Sequence, residues 1–261
     1  MTLDIYQVDA FADGPFSGNP AAVVPLTKWL PDNTLQSVAE ENNLSETAYF
    51  IKIGNEYHIR WFTPSVEVAL CGHATLASAH VIFKHLDYRS DELVFHSKSG
   101  KLSVTRSEET YSLNFPTDKY VEIEPIEKLQ TALGKAPSEW YRGRDDYMLV
   151  YETQDQIESI QPDFSTIAKC EGRGCLVTAP GNSIYDFVSR GFFPRAGIDE
   201  DPATGSAHTT LTPYWSQRLV KKDLRACQLS GRKGYFHCVD LGDRTQISGK
   251  CIDYLIGTIT I

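Results

Sequence analysis

The chain has 261 residues, 41% of them apolar and 23% charged, with 25 Lys and Arg against 34 Asp and Glu for a net charge of −9. At ~100–200 residues per domain this length favours two domains, and the acidic balance argues against nucleic acid as a partner. No apolar run approaches the ~18 residues of a membrane span. The opening Met1–Gln7 lacks the basic-then-apolar order of a signal peptide, so a cytoplasmic location is expected.

In chain order, alternation from Ile5 to Phe11 and the run Ala21–Val24 predict two strands, separated by turns at Asp13-Gly14-Pro15 and Ser17-Gly18-Asn19-Pro20. Asp32 is placed to cap a helix over Leu35, Val38 and Ala39 that stops near Asn42-Asn43. Tyr49–Ile53, a turn at Gly54-Asn55, and Tyr57–Phe62 read as a hairpin. Leu93–Phe95 and Leu102–Thr105 flank a turn at Ser99-Gly100-Lys101, and Tyr111–Phe115 ends the first half. Pro116 to Pro125 carries acids without a period and is expected to be the linker, which divides the chain into lobes 1–118 and 119–261, the last strand being free to return to the first lobe. The second half continues with a helix over Ile126–Leu133 and strands at Met148–Tyr151, Gly174–Thr178, Tyr185–Ser189, Tyr235–Asp240 and Tyr254–Ile259. Many short strands with few long helices predict an α+β fold built on antiparallel sheet.

Two glycine turns, at Gly72-His73-Ala74 and Gly205-Ser206-Ala207, lie 133 residues apart in similar surroundings. Arg60-Trp61-Phe62-Thr63-Pro64 precedes the first and Arg190-Gly191-Phe192-Phe193-Pro194 the second. Small and apolar residues at helical spacing follow both. The period far exceeds a solenoid unit of ~20–50 residues, so it predicts two duplicated lobes, each with a strand that turns into a helix. Such a turn leaves N–H groups unpaired at the positive helix end, which suits an anion. Two turns facing across a cleft would take a small carboxylate-bearing substrate.

The candidate chemistry collects in four places. His73 sits at a helix start, where the dipole is expected to lower its pKa and keep it neutral; its plainer role is to cap that helix. Asp199, Glu200 and Asp201 crowd the approach to Gly205-Ser206, and Pro202 holds Asp201 extended beside that turn. Glu46 stands at a loop-to-strand junction before apolar Ala48 and Phe50; a partly desolvated carboxylate there suits proton transfer, although exposed Glu residues at strand ends are common. The basic turn Gln228–Gly234 reads first as a hairpin and second as part of a cleft mouth. None of GxSxG, P-loop, HExxH or GxGxxG is present. The six cysteines form no CxxC, and His58, His80, His85, His96 and His237 lack Cys or carboxylate partners at ligand spacing. No metal and no cofactor are therefore expected.

Taken together, Ser17–Val24, Asn43–Ala48, Leu70–Ala77, Ser99–Leu102 and Phe192–His208 resemble the PhzF-like family of phenazine biosynthesis, over nearly the whole chain. The resemblance implies the diaminopimelate epimerase-like fold: two pseudo-symmetric lobes, each a curved antiparallel sheet around a central helix, in a protein that commonly forms homodimers. It also implies a biosynthetic isomerase that moves a hydrogen between carbons without a cofactor, as in isomerisation of trans-2,3-dihydro-3-hydroxyanthranilate. Glu46 matches the family's proton-transferring carboxylate and His73 and Asp201 its polar partners. Gly72, Gly205 and Ser206 match the turns that hold a substrate carboxylate. Racemases and epimerases of the same fold use two opposed thiols, and here Cys71 matches the first position while Thr204 stands at the second. A hydroxyl is far less acidic than a thiol, which disfavours two-thiol chemistry and leaves Cys71 as a small packing residue. Two other readings stay open: an amino-acid racemase or epimerase, and a non-catalytic small-molecule-binding scaffold. The substrate is not readable, because loops such as 153–163 and 231–234 lie outside these motifs.

Overall fold

All 261 residues are described in the computed structural model of the chain. They form two compact units, one of Met1–Asn114 with Ser248–Ile261 and the other of Phe115–Ile247. The first unit therefore reclaims the last 14 residues, and its boundary falls before the acidic stretch read as a linker. No helix is long and apolar enough to cross a membrane.

The first unit runs β1 (Thr2–Ala10), β2 (Asn19–Leu26), α1 (Asp32–Asn42), β3 (Glu46–Ile53), β4 (Glu56–Phe62), β5 (Glu67–Val68), α2 (Gly72–His85), β6 (Glu92–Ser97), β7 (Gly100–Ser107) and β8 (Thr110–Pro116). Strands pair in the order β1-β2-β3-β4-β6-β7-β8, followed by β16 (Arg244–Thr260), which pairs back onto β1 from Thr2↔Thr260 to Ala10↔Cys251. That second pairing of β1 closes an eight-strand ring and removes the open sheet edges. The core of the unit is set by α2, in which every residue from His73 to Phe83 is buried. A helix buried on all sides cannot be amphipathic, and the run Gly72–Ala79 meets that demand with small side chains at every position but His73 and Leu76. Its hydroxyls turn back on the helix, Ser78 Oγ donating to the Ala74 carbonyl at 2.7 Å and Thr75 Oγ1 to that of Cys71. Outside, α1 lays Leu35, Val38 and Ala39 against Val24, Tyr49 and Phe62. Its cap position is Pro31 rather than Asp32, whose carboxylate instead accepts from Arg60 at 2.8 Å. Asn43 ends the helix in the left-handed conformation.

The second unit adds β9 (Val121–Glu122), α3 (Glu127–Leu133), β10 (Glu139–Arg142), β11 (Asp146–Val150), α4 (Gln154–Glu158), α5 (Phe164–Ile167), β12 (Gly174–Pro180), β13 (Phe187–Phe192), α6 (His208–Leu219), β14 (Asp223–Gln228) and β15 (Gly234–Asp240). Here β9, inside the segment expected to be linker, pairs with β10. Leu129, Leu133, Trp140, Tyr151, Ile157 and Phe192 share one core. The helix α6 is buried from His208 to Thr212 and again from Tyr214 to Ser216.

The two units repeat one pairing grammar. β2–β3 is parallel, β3–β4 antiparallel and β4–β6 parallel, while β11–β12 is parallel, β12–β13 antiparallel and β13–β14 parallel. The sheets are thus mixed, not purely antiparallel, because α1 and α2 in one unit and α4, α5 and α6 in the other lie in the connections between paired strands. Antiparallel partners need only a turn, whereas parallel ones need a crossover. Strand β10 is only four residues long, whereas β14 alternates exposed Asp223 and Arg225 with buried Leu224 and Ala226; neither was among the expected strands.

One residue of the β1–β2 turn is set by backbone geometry. Gly18 has φ +73°, and a Cβ there would lie 2.3 Å from the Ala10 carbonyl oxygen. Gly18→Ala is expected to lower unfolding stability by about 2 kcal/mol or more. Gly14→Ala, where a Cβ meets open space, should shift it by less than ~1 kcal/mol. Urea melts of the two variants check the difference.

Candidate functional site

Glu46 opens β3, parallel to β2, and pairs in register with Ala21. His73 is the second residue of α2, and Asn19 opens β2 directly after Gly18. These three elements bring the groups together. Glu46 and His73 are both buried, at 8% and 6% exposure, and Glu46 Oε2 lies 3.1 Å from His73 Nε2. The two atoms are close but off the hydrogen-bond direction, and neither has another hydrogen-bond partner. On the far edge of the ring, Nδ1 contacts Asn19 Nδ2 at 3.3 Å and Cys71 Sγ at 3.5 Å. Ser45 Oγ donates to Asn19 Oδ1 at 3.3 Å, so the residue before Glu46 also orients the amide.

The first helical N–H of α2 to bond back along the chain is that of Thr75, to the Cys71 carbonyl at 3.2 Å. The amides of Gly72, His73 and Ala74 therefore have no partner within the helix, at its positive end. Cys71 precedes the helix in extended conformation with no side-chain cap bond. Its thiol is raised, first by burial and then by Glu46.

His73 departs from the sequence expectation. Burial works against its charged form, but the nearby Cys71 sulfur and the Glu46 carboxylate outweigh it, and the pKa is held well above 6.5. A carboxylate in contact acts more strongly than the partial charge of a helix end. As oriented, the Asn19 amide donates to Nδ1 and so places the ring proton on Nε2, toward Glu46. Charging the ring requires the amide oxygen to turn to Nδ1. Glu46, Cys71 and His73 offer one ligand atom each within 4.8 Å. The carboxylate meets the ring at Nε2 and the thiol at Nδ1.

In the second unit, Asp201 and Thr204 are buried, and the Thr204 hydroxyl donates to Asp201 Oδ2. Gln228, the last residue of β14, ties this turn together. Its Oε1 accepts from the Thr204 amide at 2.8 Å, and its Nε2 donates to the Asp201 carbonyl at 2.6 Å and to Thr204 Oγ1 at 3.1 Å. The segment Gln228–Gly234 is a hairpin turn, as expected, yet its first residue is structural support for Asp201. His208 Nδ1 donates to the Thr204 carbonyl at 2.9 Å, and its ring stacks on Phe236 at 3.8 Å. Burial lowers the His208 pKa to about 4, so it is neutral.

The three acids do not crowd a helix start. No acid lies in the first turn of α6, and Glu200 is committed to Arg190 through bonds of 2.8 and 2.9 Å. Ser206 Oγ accepts from Arg173 Nη2 at 3.2 Å, while Arg173 also grips Asp146 and lies over the Phe193 ring. Gly205 and Ser206 supply the carbonyls that receive the His208 and Thr209 amides. Arg173 and Asp146 had no sequence signal, whereas Asn19, Ser45 and Gln228 stood inside segments already singled out.

Two measurements follow. Gln228→Leu strips partners from the buried Thr204 amide and Asp201 carbonyl and should cost about 2 kcal/mol or more in a denaturant melt. For His73, a raised folded pKa means stabilisation that is complete below about 6.5 and is lost as pH rises through the folded value. The stability advantage of wild type over Glu46→Gln should therefore shrink as pH is raised above 6.5. NMR titration should place the His73 ring above 6.5 in wild type and lower in Glu46→Gln; a ring titrating below 6.5 in wild type would contradict this electrostatic account.

Residues 8–254 match the family described as phenazine biosynthesis-like protein. An uncharacterised isomerase of Pseudomonas aeruginosa is 49% identical over 259 residues, with 99% of both chains covered. The crystal structure of a PhzF-family phenazine biosynthesis protein from Enterococcus faecalis is 45% identical, with a TM-score of 0.97 over 100% of both chains. The structure of a protein from Pseudomonas aeruginosa described as a predicted epimerase shares the fold at a TM-score of 0.76 and 16% identity, over 99% of each chain. With its closed ring around α2, its buried α6 and this match along almost its full length, the chain belongs to the PhzF-like phenazine biosynthesis family and has the diaminopimelate epimerase-like fold.

Proposed function

We propose that the chain is a cofactor-independent isomerase that moves a proton within a small carboxylic acid, with Glu46 as the acid/base. The observation that carries this reading is the Glu46–His73 contact. Two buried polar atoms, 3.1 Å apart and lacking aligned partners, stand at the positive end of a buried helix. Unsatisfied buried polar atoms are costly, by about 1–3 kcal/mol each, and native chains keep them where a ligand completes the bonding.

In the proposed reaction the Glu46 carboxylate removes a C–H proton that is acidified by conjugation to the substrate carboxyl group. The electron pair delocalises toward that group as the C–H bond breaks. The Gly72 turn amides and the His73 N–H stabilise the charge that gathers there. Glu46, now protonated, returns the same proton to a different carbon, and no oxidant or reductant is consumed. General acid–base transfer of this kind supplies about 10²–10⁴ in rate. Asp201, with Gly205 and Ser206, is proposed to act on the same substrate, Asp201 as a hydrogen-bond partner and the turn as an anchor.

The raised, buried thiol of Cys71 and the threonine at 204 favour this scheme over two-thiol epimerisation. Incubation with a panel of unsaturated carboxylic acids in D₂O, read by NMR, tests it. Turnover should shift a double bond and fall at least about 100-fold in Glu46→Gln, while Cys71→Ser keeps activity within a few-fold. Undiminished turnover in Glu46→Gln would refute the assigned role. Racemised amino acid together with a dead Cys71→Ser would establish the epimerase reading instead. A double-mutant cycle on Glu46→Gln and Asp201→Asn measures whether the two residues act on one substrate.

A further inference from the structure

We infer that His80, His85 and Asp253 form a binding site for a divalent first-row transition ion of the zinc type, separate from Glu46 and His73. The three offer two imidazole nitrogens and a carboxylate oxygen, all within 4.8 Å of one another. His80 Nε2 lies 2.9 Å from Asp253 Oδ1, and His85 Nε2 lies 3.2 and 3.1 Å from its two oxygens. Ligands bonded to zinc at about 2.0–2.2 Å stand roughly 3–3.5 Å apart, so these atoms are already near ligand spacing. Unlike the groups around His73, both rings direct the same nitrogen, Nε2, toward one carboxylate.

The surroundings hold that geometry. His80 is buried, and its other nitrogen contacts the Tyr111 hydroxyl at 3.0 Å. A ligating imidazole needs such an acceptor for its remaining N–H, since that bond fixes tautomer and ring orientation. Tyr6 stacks on the His85 ring with centroids 5.1 Å apart. The third ligand is aimed by a bulge: β1 pairs Gln7 with Leu255 but Val8 with Asp253, which leaves Tyr254 as the extra residue. Bulges re-aim side chains and recur beside functional sites. His80 and His85 lie toward the C-terminal end of α2, 7 and 12 residues beyond His73. At 1.5 Å per residue that is roughly 10 and 18 Å along the axis. The N₂O donor set suits zinc, nickel or cobalt over magnesium or calcium.

Lys84 Nζ, 2.8 Å from Asp253 Oδ2 and half exposed, competes for the carboxylate. That competition separates a metal site from a mere ion-pair network. Full-length protein stripped with a chelator is titrated with Zn²⁺ by calorimetry and with Co²⁺ by visible absorption. One ion per chain is expected, with no thiolate-to-cobalt charge-transfer band and a melting-point rise of roughly 5–10 °C at a hundredfold excess over Kd. His85→Gln, at the last residue of the helix, should weaken binding at least tenfold while circular dichroism stays unchanged. Lys84→Ala should tighten it, and Cys71→Ser should leave it as it is. The site is refuted by an absence of saturable binding, by affinity indifferent to His85→Gln, by Lys84→Ala that fails to tighten it, or by a thiolate band that Cys71→Ser removes.

Discussion

A helix enclosed on every side by a closed ring of strands governs the first unit. Closure comes from one strand, β1, that pairs with both its sequence neighbour and the C-terminal β16. Because His73–Phe83 of α2 have no solvent face, their composition is dictated by the space inside the ring, and their polar atoms must find partners within the protein. Such a helix also has fixed ends. Its amino end carries amides without a helical partner and His73 beside Glu46, and its carboxyl end carries His85 against Asp253. Both clusters owe their geometry to the same packing constraint.

The electrostatics of Glu46 and His73 are best understood through what surrounds them. Burial penalises two charges, and only close approach offsets the penalty. Here the approach is 3.1 Å, but alignment is missing, so the pair is close enough to govern charge and too poorly aligned to count as a finished hydrogen bond. Asn19 and Ser45 complete the arrangement from the opposite edge of the ring, through contacts of 3.3 Å each. The glycine before Asn19 belongs to this arrangement as well, since its left-handed backbone and lack of a Cβ let Asn19 pair with Ala10.

Duplication kept the pairing grammar of the two units while the chemistry diverged. The first turn carries a Glu–His–Cys cluster, and the second a hydrogen-bond network in which Gln228 serves Asp201 and Thr204 at once. The second turn has its charge in Arg173, matched by Asp146. A half-buried arginine with a dedicated carboxylate presents an N–H to Ser206, which suits positioning more than proton transfer.

Much of this was legible in the chain. Period-two alternation marked most strands, Asn42-Asn43 the end of the first helix, and the two glycine turns the duplication; each is a local signal carried by neighbouring residues. Glu46, His73 and Asp201 stood out by local position, and the resemblance to a family gave them their roles; spacing did not place them together. What the sequence could not determine was set at long range. His80 and His85 acquire their carboxylate from a residue 173 and 168 positions away, Gln228 reaches back 27 positions to Asp201, and the His73 pKa moves opposite to what a helix end alone predicts. Local pattern encodes backbone periodicity, whereas the charge state and partners of a buried group depend on which distant strand is packed against it.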